Sequence, residues 1–205
     1  SWDRKSFESD PFGRNLWGTP PQGCADYAFQ QHIQKSLDVE NGRSISLWPH
    51  GILFRDAEAD MRRKMLEEDL VECVIGLGPN LFYNSPMEAC LLITKTNKEK
   101  RKKGEILIIN AIQDVRQDKN ISYLEPNHIE KIYNAYKAYK DEEGYCKVVS
   151  IQDVLSHKAS LNMALYVSNV DTSKEKVSLN EALSTLETSS RNLVMSMDQL
   201  FRELS

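Results

Sequence analysis

The chain has 205 residues, of which 40 % are hydrophobic and 27 % charged, with a formal net charge of −4. That length allows one sizeable domain, or a domain with an appendage, and the apolar share is enough for a real core. The negative balance excludes a globally basic nucleic-acid binder but leaves room for local basic patches. No apolar run approaches the ~18 residues of a membrane span, and the opening "SWDRKSFESD" has no apolar signal segment. Without a Met at its start the sequence reads as a fragment. Cys24, Cys73, Cys90 and Cys146 are far apart, no Cys-x-x-Cys pair occurs, and the His residues are isolated. This pattern argues against disulfides and metal ligation and fits a reducing cytoplasm.

Residues 1–23 are polar, aromatic and Gly/Pro-rich, and read as a loop region. A helix is predicted from Asp26, a good N-cap residue, with Ala28, Phe29, His32, Ile33, Ser36 and Leu37 on one face and Asn41-Gly42 ending it. "SISLWP" reads as a strand, with Ile45 and Leu47 alternating and Pro49 stopping it. Asp56 to Glu68 reads as a second helix, with Ala57, Met61 and Met65 along one side. "LVECVIGL", residues 70–77, is a nearly continuous apolar run, as in strands covered on both faces. "ACLLIT" and "EILIINA" are two more strands, joined by "KTNKEKRKKG" as an apparent hairpin. The order is α/β, and residues 24–112 look like the second half of a doubly wound sheet.

Residues 113–167 read as a mostly helical extension. Pro126 opens a helix reaching Tyr139, with Ile129, Ile132, Tyr133 and Tyr136 inward. "SIQDVL" is a short helix capped by Ser150, and residues 168–177 form a polar linker. The last segment, 178–205, opens on a Ser178/Glu181 capping box. Leu179, Leu183, Leu186, Ser190, Leu193, Met197, Leu200 and Leu204 then follow alternating steps of four and three. Such a repeat is the seam of a coiled coil, and Ser190 is the polar residue that can fix its register. The stripe needs cover, either from the chain's own helix at 126–139 or from a helical partner.

Three stretches invite a chemical reading. Thr19-Pro20-Pro21-Gln22, within "GTPPQGCADYAFQQHI", has the Pro-Pro of an amino-methyltransferase loop. That loop needs Asn or Asp to accept from the target amine and an aromatic to stack on a flipped base. Thr19 has only a hydroxyl and Gln22 no ring, so these positions read as an extended loop. "IGLGP", 75–79, lacks the third glycine and the helix of a dinucleotide loop, and reads as a strand-exit turn. Lys98, Lys100, Arg101, Lys102 and Lys103, in "KEKRKKG", are candidates for DNA phosphate contacts or a solvated hairpin tip. No catalytic residue and no metal ligand can be assigned, because no complete enzyme site can be assembled.

"GTPPQGCADYAFQQHI", the stretch from Gly42 to Lys95, and "GYCKVVSIQDVLSHKASLNMALYV" occur in an order that resembles the methyltransferase (M) subunit of type I restriction–modification enzymes, over residues 10–170. The resemblance implies a parent that transfers a methyl group from S-adenosylmethionine to adenine N6 in DNA. In such proteins the cofactor motif and the Asn-Pro-Pro-Phe loop precede this segment, so residues 19–22 match a second, non-catalytic Pro-Pro stretch. The chain is then a C-terminal portion, expected to be inactive and to hold no S-adenosylmethionine by itself. Pro49, His50 and Gly51, leaving a strand at its carboxyl end, are candidates for the rim of the active site. Family members often carry Asn where His50 stands.

The partners implied are a specificity subunit, a second M subunit, the restriction subunit indirectly, and duplex DNA in the assembled complex. A non-catalytic fragment that binds a specificity subunit, or itself, through the last helix is the alternative. An unrelated oxidoreductase or hydrolase piece would need the nucleotide or nucleophile motifs that this sequence lacks.

Overall fold

The computed structural model describes residues 2–83, 85–119, 121–167 and 179–203. It has two compact units, Ser1–Asn169 and Val170–Ser205. In chain order the first carries α1 (Arg4–Glu8), α2 (Asp26–Ser36), β1 (Arg43–Pro49), α3 (Ala59–Glu67), β2 (Val71–Leu77), β3 (Ala89–Lys95) and β4 (Glu105–Ala111). It continues with β5 (Arg116–Asp118), β6 (Ile121–Tyr123), α4 (Pro126–Ala138), β7 (Cys146–Ser150) and α5 (Ile151–Ser156). The second unit carries α6 (Leu179–Glu203). Among the described residues, no helix is long and apolar enough to cross a membrane.

One five-stranded mixed sheet organises the first unit, in the order β1-β3-β2-β4-β7. β3 is antiparallel to both β1 and β2, β2 is parallel to β4, and β4 is antiparallel to β7. Strands β1, β2 and β4 therefore run the same way. β2 is buried at every position, so it takes the middle of the sheet, where both faces are covered. Val74, Leu92, Ile106 and Ile108 meet Tyr27 of α2, Met61 and Met65 of α3, and Val154 of α5 on one face. Ile75, Ile93, Leu107 and Ile109 meet Ala135 of α4 and Tyr139 on the other.

Several expectations are corrected. Residues 1–23 are not all loop, because Asp3 caps α1 by accepting from Lys5 N at 3.0 Å and Ser6 N at 3.4 Å. The first residue of α2 is Asp26 and its N-cap position is Ala25. The buried side of α2 is Tyr27, Ala28, Gln30, Gln31 and Gln34, while Phe29 is exposed. Two of these glutamines find partners inside. Gln30 Oε1 accepts from Ser46 Oγ and Trp48 Nε1, and Gln31 bridges Trp17 N and Gly18 O. In β1 the alternation holds with the opposite sense, Ser46 buried and Ile45 and Leu47 exposed. The second helix begins with a 3-10 turn at Asp56–Glu58, and Ala57 faces solvent.

In α4 the buried side is Ala135, flanked by half-buried Ile132 and Tyr136, and Ile129 and Tyr133 are exposed. The tyrosine hydroxyls turn the helix. Tyr139 donates to Glu72 O at 3.0 Å and Glu105 O at 3.2 Å, and Tyr136 donates to the Glu72 carboxylate. The 113–167 segment is no separate helical extension, since its β7 completes the sheet. The cap on α5 is as expected, with Ser150 Oγ accepting from Asp153 N at 3.1 Å.

The largest correction concerns "KTNKEKRKKG". β3 and β4 do not form a hairpin, because β2 lies between them. The connection is a strap across the start of β2. Lys98 pins it, donating to Val71 O at 3.0 Å and Glu105 O at 2.7 Å and pairing with Asp69 at 2.5 Å. Asp69 has a left-handed φ of 56°, and its carboxylate also accepts from Gly104 N. Lys102 pins the other end, pairing with the buried Glu72 at 3.1 Å and lying 4.9 Å over the Tyr139 ring.

In the second unit, Leu183, Leu186, Leu193 and Met197 of α6 are exposed, as is the seam residue Ser190. Ser178, Leu204 and the predicted linker at 168–177 lie outside the described residues, as do the side chains of Leu179, Glu181 and Leu200.

Lys98→Met should cost about 1–3 kcal/mol, since two buried carbonyls and Asp69 lose their donor. Lys100→Met, at an exposed position of the same strap, should stay within about 0.5 kcal/mol. Urea unfolding of the two variants checks this, and equal effects would refute the strap.

Candidate functional site

The carboxyl ends of β1, β2 and β4 share one end of the sheet. Pro49 and Leu77 both pair with Ala89, and Leu77 pairs with Ala111, so they form one row. Pro49, His50 and Gly51 therefore leave the sheet at its ligand-binding end for an open α/β fold. Pro49 stops the strand, and His50–Leu53 form a 3-10 turn. His50 Nδ1 lies 3.0 Å from Glu88 Oε2, and His50 N donates to Glu88 O at 3.3 Å. The ring packs edge-on against Phe54 at 6.1 Å, and its buried Nε2 has no hydrogen-bond partner.

Gly51 is required by what lies under it. A Cβ there would come 2.9 Å from Arg55 Nη1. Arg55 folds back beneath the turn and joins the two segments singled out in the sequence. Its Nε donates to Glu58 Oε2 at 2.7 Å, and its Nη2 pairs with Asp26 at the start of α2. Arg62, 1 % exposed, completes the anchor by donating to Ala159 O at 2.6 Å and to Ile52 O and Arg55 O at 3.2 Å. A buried guanidinium is tolerable where its donors are met this way.

Cys24, Asp26 and Glu58 place a thiol and two carboxylates within 4.8 Å of one another. The cation between those carboxylates is Arg55 itself, so the group reads as an ion-pair anchor. Burial pushes the Cys24 thiol up to about 12, with the Glu58 carboxylate adding to the effect. It is therefore a neutral thiol near pH 7 and no nucleophile.

The Pro-Pro stretch is engaged structurally. Pro20 O accepts from Arg4 Nε at 3.3 Å, Pro21 O from Cys24 N at 3.0 Å, and Gln22 O from Trp2 Nε1 at 2.9 Å. The glycines of "IGLGP" are packing glycines. A Cβ on Gly76 would meet Met163 Sδ at 2.2 Å, and one on Gly78 would meet Ile112 O at 2.5 Å. Neither stretch fits a cradle for S-adenosylmethionine.

Sequence reasoning missed two features. One is the Asp26–Arg55–Glu58–Arg62 anchor, whose members are spread over 37 positions and only meet in the fold. The other is the loop after β2. Leu81, Phe82, Tyr83 and Pro86, with Ile121, line a groove of about 500 Å³, and Tyr83 is 92 % exposed. Apolar and aromatic residues directly beyond a strand's carboxyl end were the available signal.

The basic run is placed elsewhere. Arg43 pairs with Lys95 at the opposite end of the sheet, where the strap lies. Lys98 and Lys102 are buried and used in the fold, while Lys100, Arg101 and Lys103 are exposed.

Replacing Arg55 by Met strands the Glu58 carboxylate, which is 1 % exposed, and should cost on the order of 3 kcal/mol. Hydrogen exchange should rise in 19–26 and 50–58 together. A rise confined to one segment would mean that Arg55 does not join them.

The family model described as N-6 DNA Methylase matches residues 1–175. The Type I restriction enzyme MjaVIII methylase subunit of Methanocaldococcus jannaschii is 35 % identical over 175 residues, covering 83 % of this chain and 30 % of that protein. The HindI methylase subunit of Haemophilus influenzae is 29 % identical over 194 residues, 90 % of this chain and 43 % of that one. The chain thus spans less than half the length of these curated relatives. Among solved structures, the type I restriction-modification system methyltransferase subunit from Streptococcus thermophilus matches with a TM-score of 0.75 and 32 % identity, over 82 % of this chain and 36 % of that chain. The EcoKI M protein shares the fold, with a TM-score of 0.58 at 14 % identity over 93 % of this chain and 46 % of that one. This chain belongs to the N-6 DNA methylase family, and within it resembles the methylase subunits of type I restriction enzymes.

Proposed function

We propose that the chain is part of the modification subunit of a type I restriction–modification system, a C-terminal portion of a protein that methylates adenine N6 in DNA. The observation that carries this is the family match over residues 1–175, and the turn at Pro49–Gly51, which leaves the carboxyl end of β1, supports it. In this reading β1, β3, β2 and β4 belong to the second half of a Rossmann-like sheet. Pro49, His50 and Gly51 edge the target-base pocket, and Tyr83 supplies an aromatic face on the same side. The partner groups, cofactor loop and Asn-Pro-Pro-aromatic, come from residues that this sequence does not contain. S-adenosylmethionine binds the whole protein and not this chain. Lys100 and Lys103, exposed on the strap, remain free to meet phosphates.

By itself the chain should neither bind S-adenosylmethionine nor methylate duplex DNA. Calorimetry and a labelled-methyl assay test the first half. Saturable micromolar binding, or adenine methylation by this chain, would sink it. The second half is reconstitution. Addition of a polypeptide that supplies the cofactor and Asn-Pro-Pro-Phe motifs, together with a specificity subunit, should restore methylation, and its failure to do so with a folded chain counts against the parent enzyme.

The second reading, an interaction role for α6, is favoured by the exposed Leu183, Leu186, Leu193 and Met197. Their spacing suits a helical partner, and a buried Leu contributes about 1.5–3 kcal/mol. The specificity subunit, a second M subunit or a second copy of the chain would cover the stripe, with the restriction subunit joining indirectly. Leu186→Asp with Leu193→Asp should abolish assembly with a specificity subunit, and any self-association, while residues 26–167 stay folded. Normal co-purification of the double variant would show that α6 is not the interface.

A further inference from the structure

The end of the sheet away from His50 carries an unusual balance of charge. Arg43 opens β1, Lys95 closes β3 opposite it, and Lys137 lies in the last turn of α4. With Arg101 of the strap they line one pocket of about 240 Å³, floored by Lys102, Tyr136 and Glu72. Glu72 is already neutralised, accepting from Lys102 Nζ at 3.1 Å and from Tyr136. These contacts help to hold its carboxyl below the usual range against the opposing effect of burial. The only other carboxylate of the pocket, Glu99, pairs with Arg101 at 3.2 Å and faces Lys102 at 3.7 Å.

Arg116, Lys131 and Lys147 each have an acid beside them, Glu125, Asp114 and Asp141. Among the described residues, no carboxylate lies within ion-pair distance of Arg43, Lys95 or Lys137. Three elements thus bring cations without a direct ion pair to one place, where five cations face the two carboxylates Glu72 and Glu99. That place is stiff, because Lys98 and Lys102 pin the strap and the Arg43 guanidinium donates to Tyr136 OH at 2.8 Å and lies 5.4 Å over its ring. Cations held close together repel one another in the free protein, and an anion relieves that repulsion.

We propose that Arg43, Lys95 and Lys137, with Arg101 beside them, form a contact face for the phosphate backbone of duplex DNA, remote from the target-base rim. The inference rests on the DNA-modifying reading above. It replaces the contiguous run at 98–103 by a composite face, two of whose chief members, Arg43 and Lys137, lie far from that run in sequence. Contacts of this kind position a duplex without reading its sequence. They would hold DNA lying beyond the base that is modified.

The test is anisotropy of a fluorescent duplex of about 20 base pairs, titrated with salt from about 50 mM upward. The 205-residue chain should bind weakly, without sequence preference, and lose affinity steeply with salt. Arg43→Ala with Lys95→Ala and Lys137→Ala should bind on the order of tenfold more weakly at low salt. Its log–log salt slope should fall by about 0.9 for each phosphate contact removed. A charge-matched control, Lys5→Ala with Lys119→Ala and Lys158→Ala, should keep the wild-type slope. Circular dichroism confirms that each variant is folded, and Lys95→Gln with Lys137→Gln repeats the test without touching the Arg43–Tyr136 contact.

Binding that survives both face variants with its slope intact overturns the face and leaves the DNA reading standing. A polyglutamate peptide that displaces the duplex at equal charge would assign the face to an acidic protein and also overturn it. Absence of salt-sensitive duplex binding by the wild-type chain overturns it too, while the methyl-transfer reading is decided separately by reconstitution.

Discussion

The middle strand β2 is buried along its whole length, so each polar group brought to its ends must be satisfied inside the protein. Its sides are paired to β3 and β4, and its faces are covered by helices. The start of the strand is the difficult place. There Val71 O takes the Lys98 ammonium, and Glu72 takes Lys102 and Tyr136. A register shift between Val71 and Cys73 falls at Glu72, and such irregularities re-aim a side chain. The strap, the pitch of α4 and the position of the basic face all follow from closing this one strand end.

The opposite end of the sheet is governed by a different ion pair. Arg55 ties the Cys24–Asp26 segment to the 3-10 turn after β1, so two of the three stretches that carry the family resemblance are one structural piece. This gives the Pro-Pro stretch and the Pro-His-Gly turn a physical relation that neither has alone. The geometry of the Pro49–Gly51 turn is thus set by contacts within this chain.

Some of the fold was legible from residue order alone. β2 could be read from its unbroken apolar run, β1 from its alternation and Pro49, and α5 from Ser150. The burial of α2 and α4 was not legible, because both turn polar groups inward. Gln30 and Gln31 look like surface residues until Ser46, Trp48, Trp17 and Gly18 supply their partners. Tyr139 looks like the end of a helix until its hydroxyl reaches Glu72 and Glu105. The same holds for the basic run, where composition cannot separate a lysine that grips two strand ends from one that faces solvent.

The sequence by itself determined the α/β class, the family, and the absence of the Asn-Pro-Pro-aromatic and glycine-loop motifs from these residues. The class and the motif content are local, written in periodicity and short spacings that survive any packing, while the family is carried by a resemblance of three stretches in a shared order. Only the tertiary structure decided that β2 separates β3 from β4, that Lys98 and Lys102 are internal, and that Arg43, Lys95 and Lys137 converge. Those outcomes depend on which buried donors and acceptors meet across the sheet. Such pairing is a long-range constraint, which no window of neighbouring residues contains.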